Sequence, residues 1–273
     1  MKRNANRSLE RTFIAAISQF AFCCHDAIEK VQNTTNLPLF CYEHLASANL
    51  CTIHINRVCN IFEHLLSQES PSPFSPKLQS FNPEEVLSGI AKTLTDTVAD
   101  HISVKIDLCP GSSCNFPMTV DMEKFEFAFL NLLYCSLRSA ENSVHKSTKI
   151  SLSVRELKDH LQFHIKDNGN FVNPLIKENF RVGGRPLSGF YSTRDTMVSF
   201  SFDVANKLIL DMQGTFSYKS LKSGNRYDIT LPKFPKDLPD AVNSIARYIP
   251  TIRYFNELFL DIFEETERKE DTL

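Results

Sequence analysis

The chain has no dominant charge: 30 Lys and Arg stand against 32 Asp and Glu in 273 residues, a net charge of -2. So even a balance exerts no broad pull on nucleic acid or on an anionic membrane, and neither is expected as a partner. The eight cysteines form no CxxC pair; Cys23 and Cys24 adjoin, while Cys51 and Cys59 repeat on a helical period. A zinc site is therefore not expected. No secretory leader is legible, so free thiols in a reducing cytosol, and a cytoplasmic location, are the expectation. The longest apolar run, Phe13 to Cys24, is broken by Ser18 and Gln19 and is too short to span a bilayer, which argues against direct membrane insertion. A content of 42% hydrophobic and 23% charged residues argues against disorder, and the length suits two modest domains.

What is present first is helical periodicity. Between residues 8 and 35, apolar or small side chains fall at Ile14, Ile17, Ala21, Cys24, Ile28 and Val31. Alternating steps of three and four make a bundle seam. The polar stretch Asn33 to Asn36, followed by Leu37 and Pro38, closes this helix. A second helix is expected from about Glu43 to Gln68, with its seam at Leu45, Ala48, Thr52, Ile55, Cys59, Phe62 and Leu66. Two such helices with a short connection form an antiparallel hairpin. One hairpin cannot cover its own apolar face, so two copies are expected to pair as a homodimer with a four-helix bundle. His44, His54 and His64 recur every ten residues, about 2.8 helical turns, so they share no face and are expected at the surface.

The segment Ser70 to Pro76, with Pro71, Pro73 and Pro76, reads as a semi-rigid linker. An α/β pattern follows. Asn82 caps a helix through about Ala99, with Pro83 at its first position. A strand is expected over Ile102 to Leu108, a helix over Met122 to Glu141, and a hairpin over Lys149 to Leu157 and Leu161 to Asp167. Residues 171 to 195 read as irregular. A helix near Val198 to Met212 precedes a closing hairpin, Thr215 to Lys219 and Arg226 to Leu231, turning through Ser223, Gly224 and Asn225. These elements predict a mixed sheet covered by helices on one face, an α+β sandwich. From Asp240 to about Arg268 the tail reads as helix interrupted at Pro250, with an apolar stripe at Ile245, Tyr248, Ile249, Ile252, Phe255, Leu258, Phe259 and Ile262 that is expected to pack on the sandwich. The boundaries are a helical hairpin at 1–69, a linker at 70–80, the α+β domain at 81–235 and the helical tail at 236–273.

From about residue 10 to 232 this layout resembles the core of sensor histidine kinases: a dimerising phosphotransfer hairpin, then an ATPase domain of the gyrase, heat-shock-ninety, kinase and mismatch-repair type. The resemblance rests on three local matches. Along Asp121 to Ser136, Asn131 matches the first of two family asparagines spaced four apart, and Cys135 stands in place of the second, the magnesium ligand. Magnesium prefers hard oxygen ligands, which a thiol does not offer. In Ile165 to Phe171, Asp167 and Gly169 match the family's adenine-binding box, but its second glycine is replaced by Phe171. A bulky residue there stands where backbone must approach the nucleotide. The third match, the lid before the helix near 198, should be glycine-rich, yet Met197 to Ser201 contains no glycine. Gly183, Gly184 and Gly189 lie earlier at the wrong spacing. Asn131, Asp167 and Gly169 are thus vestigial cofactor-binding residues; binding of ATP and magnesium is expected to be weak or absent, with no other cofactor or metal.

His25 and Asp26 follow the seam residue Cys24, at the edge of the hairpin. Imidazole nitrogen accepts a phosphoryl group, and an adjacent carboxylate can orient the ring. The string Cys24-His25-Asp26 is similar to histidine phosphotransferases of the sporulation and alphaproteobacterial cell-cycle phosphorelays, which also join a hairpin dimer to a degenerate ATPase domain. Kinases of the larger class usually carry proline where this chain has Lys30, and a phosphatase-associated threonine or asparagine where it has Glu29. The resemblance therefore implies a relay that moves phosphate on His25 between response-regulator receiver domains, with Asp26 orienting the ring and the degenerate domain walling the docking site. The rivals are a divergent ATP-dependent kinase, kept alive by Asn131 and Asp167, and a non-enzymatic scaffold that binds regulators.

Overall fold

The computed structural model describes residues 23–31, 38–68, 78–99, 103–108, 116–140, 148–170, 193–234 and 244–252, together with Ile17, Ala21, Cys114, 254–256, Leu258, Phe259 and Ile262. The chain divides into two compact units, one of Met1–Pro73 with Phe259–Leu273 and one of Phe74–Leu258.

In the first unit, helix α1 is described over residues 23 to 31 and helix α2 is Leu39–Gln68. Helix α2 begins earlier than the expected Glu43. Its buried face also differs from the expected seam: Thr52 and Cys59 are buried, but so are Asn49, Ile53, Arg57 and Ile61. Ala48 and Ile55, both placed in the seam, are exposed in the single chain. His54 is a correction of a different kind, because it is buried rather than at the surface; His44 is exposed as expected. The linker at Ser70 to Pro76 lies outside the described residues.

The second unit is an α+β domain. Its five-stranded sheet has the order β2-β4-β5-β7-β6, formed by β2 (Val104–Leu108), β4 (Thr148–Glu156), β5 (His160–Asp167), β6 (Thr215–Leu221) and β7 (Gly224–Pro232). Only β2 and β4 run parallel; the other neighbours are antiparallel. Strict alternation puts Ile150, Leu152, Val154, Leu161, Phe163, Ile165, Tyr227, Ile229 and Leu231 on one face, where all are buried, as a pleat of period two requires. Helices α3 (Pro83–Val98), α4 (Met122–Ala140) and α5 (Thr193–Asp211) supply the opposing layer, with α4 and α5 packed side by side. Phe125 of α4 joins the layers, its ring 5.2 Å from Phe163 and 5.5 Å from Phe129. The cap of α3 forms as read: Asn82 Oδ1 accepts from the backbone of Glu84 at 2.9 Å and Glu85 at 3.3 Å, with Pro83 opening the helix.

Three strands were not legible in the sequence. β1 (Leu78–Phe81), β3 (Met118–Asp121) and β8 (Ile245–Ala246) form a second sheet, ordered β3-β1-β8. β1 lies in the stretch assigned to the linker, and β8 lies in the stretch assigned to helix. Very short strands hold too little periodicity to be distinguished from loop. β8 runs parallel to β1, with Ser80 opposite Ile245 and Phe81 opposite Ala246.

Beyond β8 the tail is fastened to the domain. The Tyr248 hydroxyl donates to Glu126 Oε1 at 2.5 Å, and the Thr251 backbone N–H donates to the same oxygen at 3.0 Å. Glu126 is buried on α4, and burial, reinforced by the Glu126 carboxylate, pushes the Tyr248 pKa far above the phenol range. The expected apolar stripe splits. Tyr248, Phe255 and Leu258 are buried, whereas Ile245, Ile249 and Ile252 are 63%, 76% and 55% exposed. The same tail explains a glycine inside α3. A Cβ on Gly89 would sit 2.6 Å from Cε1 of Tyr248, and that ring is held by its bond to Glu126. Glycine in a helix interior costs about 1 kcal/mol relative to alanine, so Gly89→Ala would ordinarily stabilise. Here overpacking of about 1–3 kcal/mol outweighs that gain, and urea denaturation should show net destabilisation. A more stable Gly89→Ala protein would mean that Tyr248 does not hold this position.

Candidate functional site

His25 sits on α1 with its side chain 23% exposed, enough for one face of the ring to meet a partner. Its Nδ1 is hydrogen-bonded to Oδ1 of Asn49, a buried side chain of α2. Since an amide oxygen only accepts, this contact places the proton on Nδ1 and leaves Nε2 with the nucleophilic lone pair. Oε1 of Glu29 lies 3.5 Å from Nε2, one helical turn along α1. Asp26, expected to orient the ring, instead accepts from Lys30 Nζ at 2.6 Å on the exposed side of the helix. The ring is thus held by Asn49 and faced by Glu29. A pair at i and i+4 shares a helix face, whereas adjacent residues diverge by about 100°, which is why the neighbour in sequence is not the neighbour in space. Asn49 was not singled out from the sequence. A signal existed: antiparallel pairing about a turn centred on residue 37 brings positions 25 and 49 opposite one another.

The second group of predicted residues lies in the α+β domain. Asp167 ends β5 and is buried. Its Oδ1 accepts three hydrogen bonds, from Gly169 N and Asn225 Nδ2 at 2.9 Å each and from Ser139 Oγ at 3.1 Å. Asn225 is itself fixed: Nδ2 also donates to Asn170 O at 2.9 Å, and Oδ1 accepts from the Tyr218 hydroxyl at 2.6 Å. Gly224, at φ 117°, permits this closure, since a Cβ there would lie 1.8 Å from the Asp167 carbonyl oxygen. Burial raises the Asp167 pKa against the opposing pull of its hydrogen bonds. The Ser136 hydroxyl lies beside Asp167 and the Tyr227 phenol and lowers the pKa of each. Even so, Asp167 Oδ2, Ser136 Oγ and Tyr227 OH have no well-aligned hydrogen-bond partner among the described residues. Burial is also the main reason that the Tyr227 pKa stands well above 10.0.

Asn131 and Cys135 face inward on α4, both with 0% exposure. Asn131 Nδ2 donates to the Phe127 carbonyl of its own helix at 2.8 Å. Cys135 Sγ donates to the Val198 carbonyl of α5 at 3.7 Å. The Cys135 thiol is therefore covered by a helix. Helix α5 starts at Thr193 rather than near Val198, so Met197 to Ser201 lies within helix, where Ser201 Oγ donates to Met197 O at 2.8 Å. Helical amides from the second turn onward are already bonded to carbonyls and cannot cradle phosphate. Phe171, Gly183, Gly184 and Gly189 lie outside the described residues. Among the described residues no group of three or more His, Cys, Asp or Glu has the arrangement of a metal site, and no helix is long and apolar enough to cross a membrane.

No family model matches the chain, and no curated protein matches it. Solved structures do. The histidine kinase ThkA, in its complex with the response regulator protein TrrA, is 13% identical with a TM-score of 0.53, the match covering 86% of this chain and 62% of that one. Full-length ShkA in complex with AMPPNP is 14% identical with a TM-score of 0.52, covering 83% of this chain and 47% of that one. AdeS of Acinetobacter baumannii is 14% identical with a TM-score of 0.49, covering 82% of this chain and 97% of that one. The chain thus spans less than two thirds of the ThkA and ShkA chains it matches. At these identities the likeness is one of fold: the chain has the α+β architecture of histidine-kinase ATPase domains.

Proposed function

We propose that the protein is a histidine phosphotransferase of a two-component phosphorelay, taking a phosphoryl group onto His25 from one receiver aspartate and passing it to another without ATP. The observation that carries this reading is the Nδ1 contact of His25 with buried Asn49, which leaves Nε2 as the attacking atom. In the proposed step the Nε2 lone pair attacks phosphorus, the bond from phosphorus to the aspartyl oxygen breaks, and the carboxylate leaves. The ring becomes cationic while Nε2 bears phosphorus, and Glu29 at 3.5 Å offsets that charge. Such transfer depends mainly on positioning and charge neutralisation, with the acidic pocket and magnesium supplied by the receiver.

Closure of the nucleotide-type site supports independence from ATP. Asp167 Oδ1 is occupied by three internal donors, Cys135 is covered by α5, and the lid position is helical. Ala48, Cys51 and Ile55 form an exposed line at helical spacing on α2. This supports pairing with a second copy of the chain.

A second reading, a divergent ATP-dependent histidine kinase, is favoured by the fold likeness to ThkA and ShkA and by one atom: Asp167 Oδ2 has no well-aligned partner among the described residues and could accept from an adenine amino group. Calorimetric titration with ATP and magnesium separates the two. The relay predicts no detectable heat at roughly millimolar nucleotide, where a dissociation constant would correspond to about -4 kcal/mol. Micromolar binding that is lost in Asp167→Ala would establish the kinase reading in its place.

A further inference from the structure

The open face of the five-stranded sheet carries an unbalanced charge. By register and pleat, the residues opposite the buried layer include Lys105, Lys149, Arg155, Lys166, Lys219 and Arg226. Against these stand only two carboxylates on the same face, Asp107 and Asp228, in a chain whose net charge is -2. Asp107 is already engaged, with Lys105 at 3.0 Å. The centre of the face is a row in which Lys166 on β5 lies directly opposite Arg226 on β7, and Arg226 directly opposite Lys219 on β6.

Like charges directly opposite one another across neighbouring strands destabilise a sheet, so this row opposes folding. Asp228, one row away, relieves only part of it. Its Oδ1 accepts from Arg226 Nε and from His164 Nδ1, each at 2.5 Å, and its Oδ2 lies 3.6 Å from Lys219. These bonds hold the Arg226 guanidinium in place, fixing the middle of the row before any partner arrives. Lys166, Lys149 and Arg155 are exposed and have no ion-pair partner among the described residues. A sequence that keeps a locally unfavourable arrangement without structural compensation marks a functional surface.

We propose that this sheet face is a docking surface for an acidic protein surface, a proposal that stands independently of phosphotransfer at His25. Charge complementarity selects the partner's sign and accelerates encounter. The remaining chemistry of the face selects its class. Ser151, Ser153, Ser217 and Thr230 lie between the cations, giving short hydroxyls suited to hydrogen bonds with carboxylates. Among the described residues no Phe, Tyr or Trp lies on this face, since Tyr218, Tyr227 and Phe216 contact Phe202 of α5 on the other; of its two imidazole rings, His160 ends β5 and His164 is bonded to Asp228. The large aromatic platforms that bind single-stranded nucleic acid are therefore missing from the strands of this face, and Leu221, at the end of β6, is too little apolar surface to enter a lipid interface.

The test uses the full chain with fluorescein-labelled poly-L-glutamate as probe, beside a DNA duplex and phosphatidylserine vesicles. Saturable poly-L-glutamate binding is expected, weakening at least about tenfold between 50 and 200 mM salt as screened charge contacts do. The double variant K166E/K219E should lower the affinity about tenfold or more, roughly 1.4 kcal/mol. Lys92→Glu, an exposed position on α3, should change it by less than about twofold. Ser153→Glu places one negative charge on the face without removing a lysine and should weaken binding in the same direction. Equal affinity in K166E/K219E and the unaltered chain, an equal loss in Lys92→Glu, or tighter binding by DNA or vesicles than by poly-L-glutamate would overturn the proposal.

Discussion

Phosphoryl uptake from a phosphorylated receiver domain is expected to vanish in His25→Gln and to fall about 10- to 100-fold in Asn49→Leu, the range seen when a histidine loses the group that orients it. The loss in Asn49→Leu has a specific physical origin. Without the Asn49 acceptor, Nδ1 no longer holds the proton preferentially, the population with a bare Nε2 falls, and the ring is freed to rotate. Asn49→Asp keeps an acceptor oxygen at the same reach and should recover most of the rate. A defect in folding alone would not separate these two variants in this order, because a buried carboxylate is the harder of the two to accommodate. Asp26→Asn should alter uptake by less than about twofold, since its carboxylate is committed to exposed Lys30, and such surface pairs contribute little. The measurement is the initial rate of label transfer at fixed receiver concentration. An Asp26→Asn loss larger than that of Asn49→Leu would reverse the assignment of the orienting group.

The next largest effect is expected at Asp167. Alanine there removes the acceptor of three hydrogen bonds and leaves Gly169 N and one Asn225 Nδ2 proton unmet around a buried site, while Ser139 Oγ can still donate to the Ser136 carbonyl at 2.8 Å. Unsatisfied buried polar groups cost about 1–3 kcal/mol each and do not add, so a net loss of roughly 2–4 kcal/mol is expected for Asp167→Ala. Asparagine is a different case. It keeps an Oδ1 acceptor for all three donors and removes a charge that burial disfavours. Its amide can also donate toward Ser136 Oγ or Tyr227 OH, which have no well-aligned partner among the described residues. Asp167→Asn should therefore equal or exceed the unaltered chain in stability at pH 7, by up to about 1 kcal/mol.

The sign with pH follows from the raised Asp167 pKa. A carboxyl whose pKa in the folded state lies above its reference value of 3.8 stabilises most when protonated, below that value. This contribution is lost as pH rises through the folded-state pKa. The advantage of Asp167→Asn should thus shrink as pH is lowered from 7 toward 4. Urea midpoints for the two proteins across that range measure the difference directly, with other titrating groups common to both. An advantage that grew on acidification would mean that Asp167 is stabilised in its charged form.

The second unit was legible where side-chain alternation is long. β4 and β5 bury alternate residues over most of their nine and eight positions, and period two suffices to identify them. β1, β3 and β8 have four, four and two residues, so nothing local distinguishes them from loop. Helix α2 was legible as helix, but its buried face was not. The seam read from spacing included Ala48 and Ile55, which are exposed in the single chain, while Asn49 and Arg57 are buried. Periodicity shows that a helix has two faces; the residues packed against it decide which face is inside.

The sequence by itself determined the element types of the sandwich, the cap of α3 and the histidine with a carboxylate beside it. All of these follow from residue identity and spacing within about one or two turns of chain. Only the tertiary structure decided that Asn49 rather than Asp26 holds His25, that Asn225 and Ser139 close over Asp167, and that α5 covers Cys135. It also decided that Tyr248 reaches Glu126 across 122 positions, and so that residue 89 is glycine. Each of these contacts joins residues at least 24 positions apart. Their geometry is set by how layers pack and which strands pair, and a hydrogen bond forms only when both groups are brought within about 3 Å and aligned. No local pattern encodes that approach.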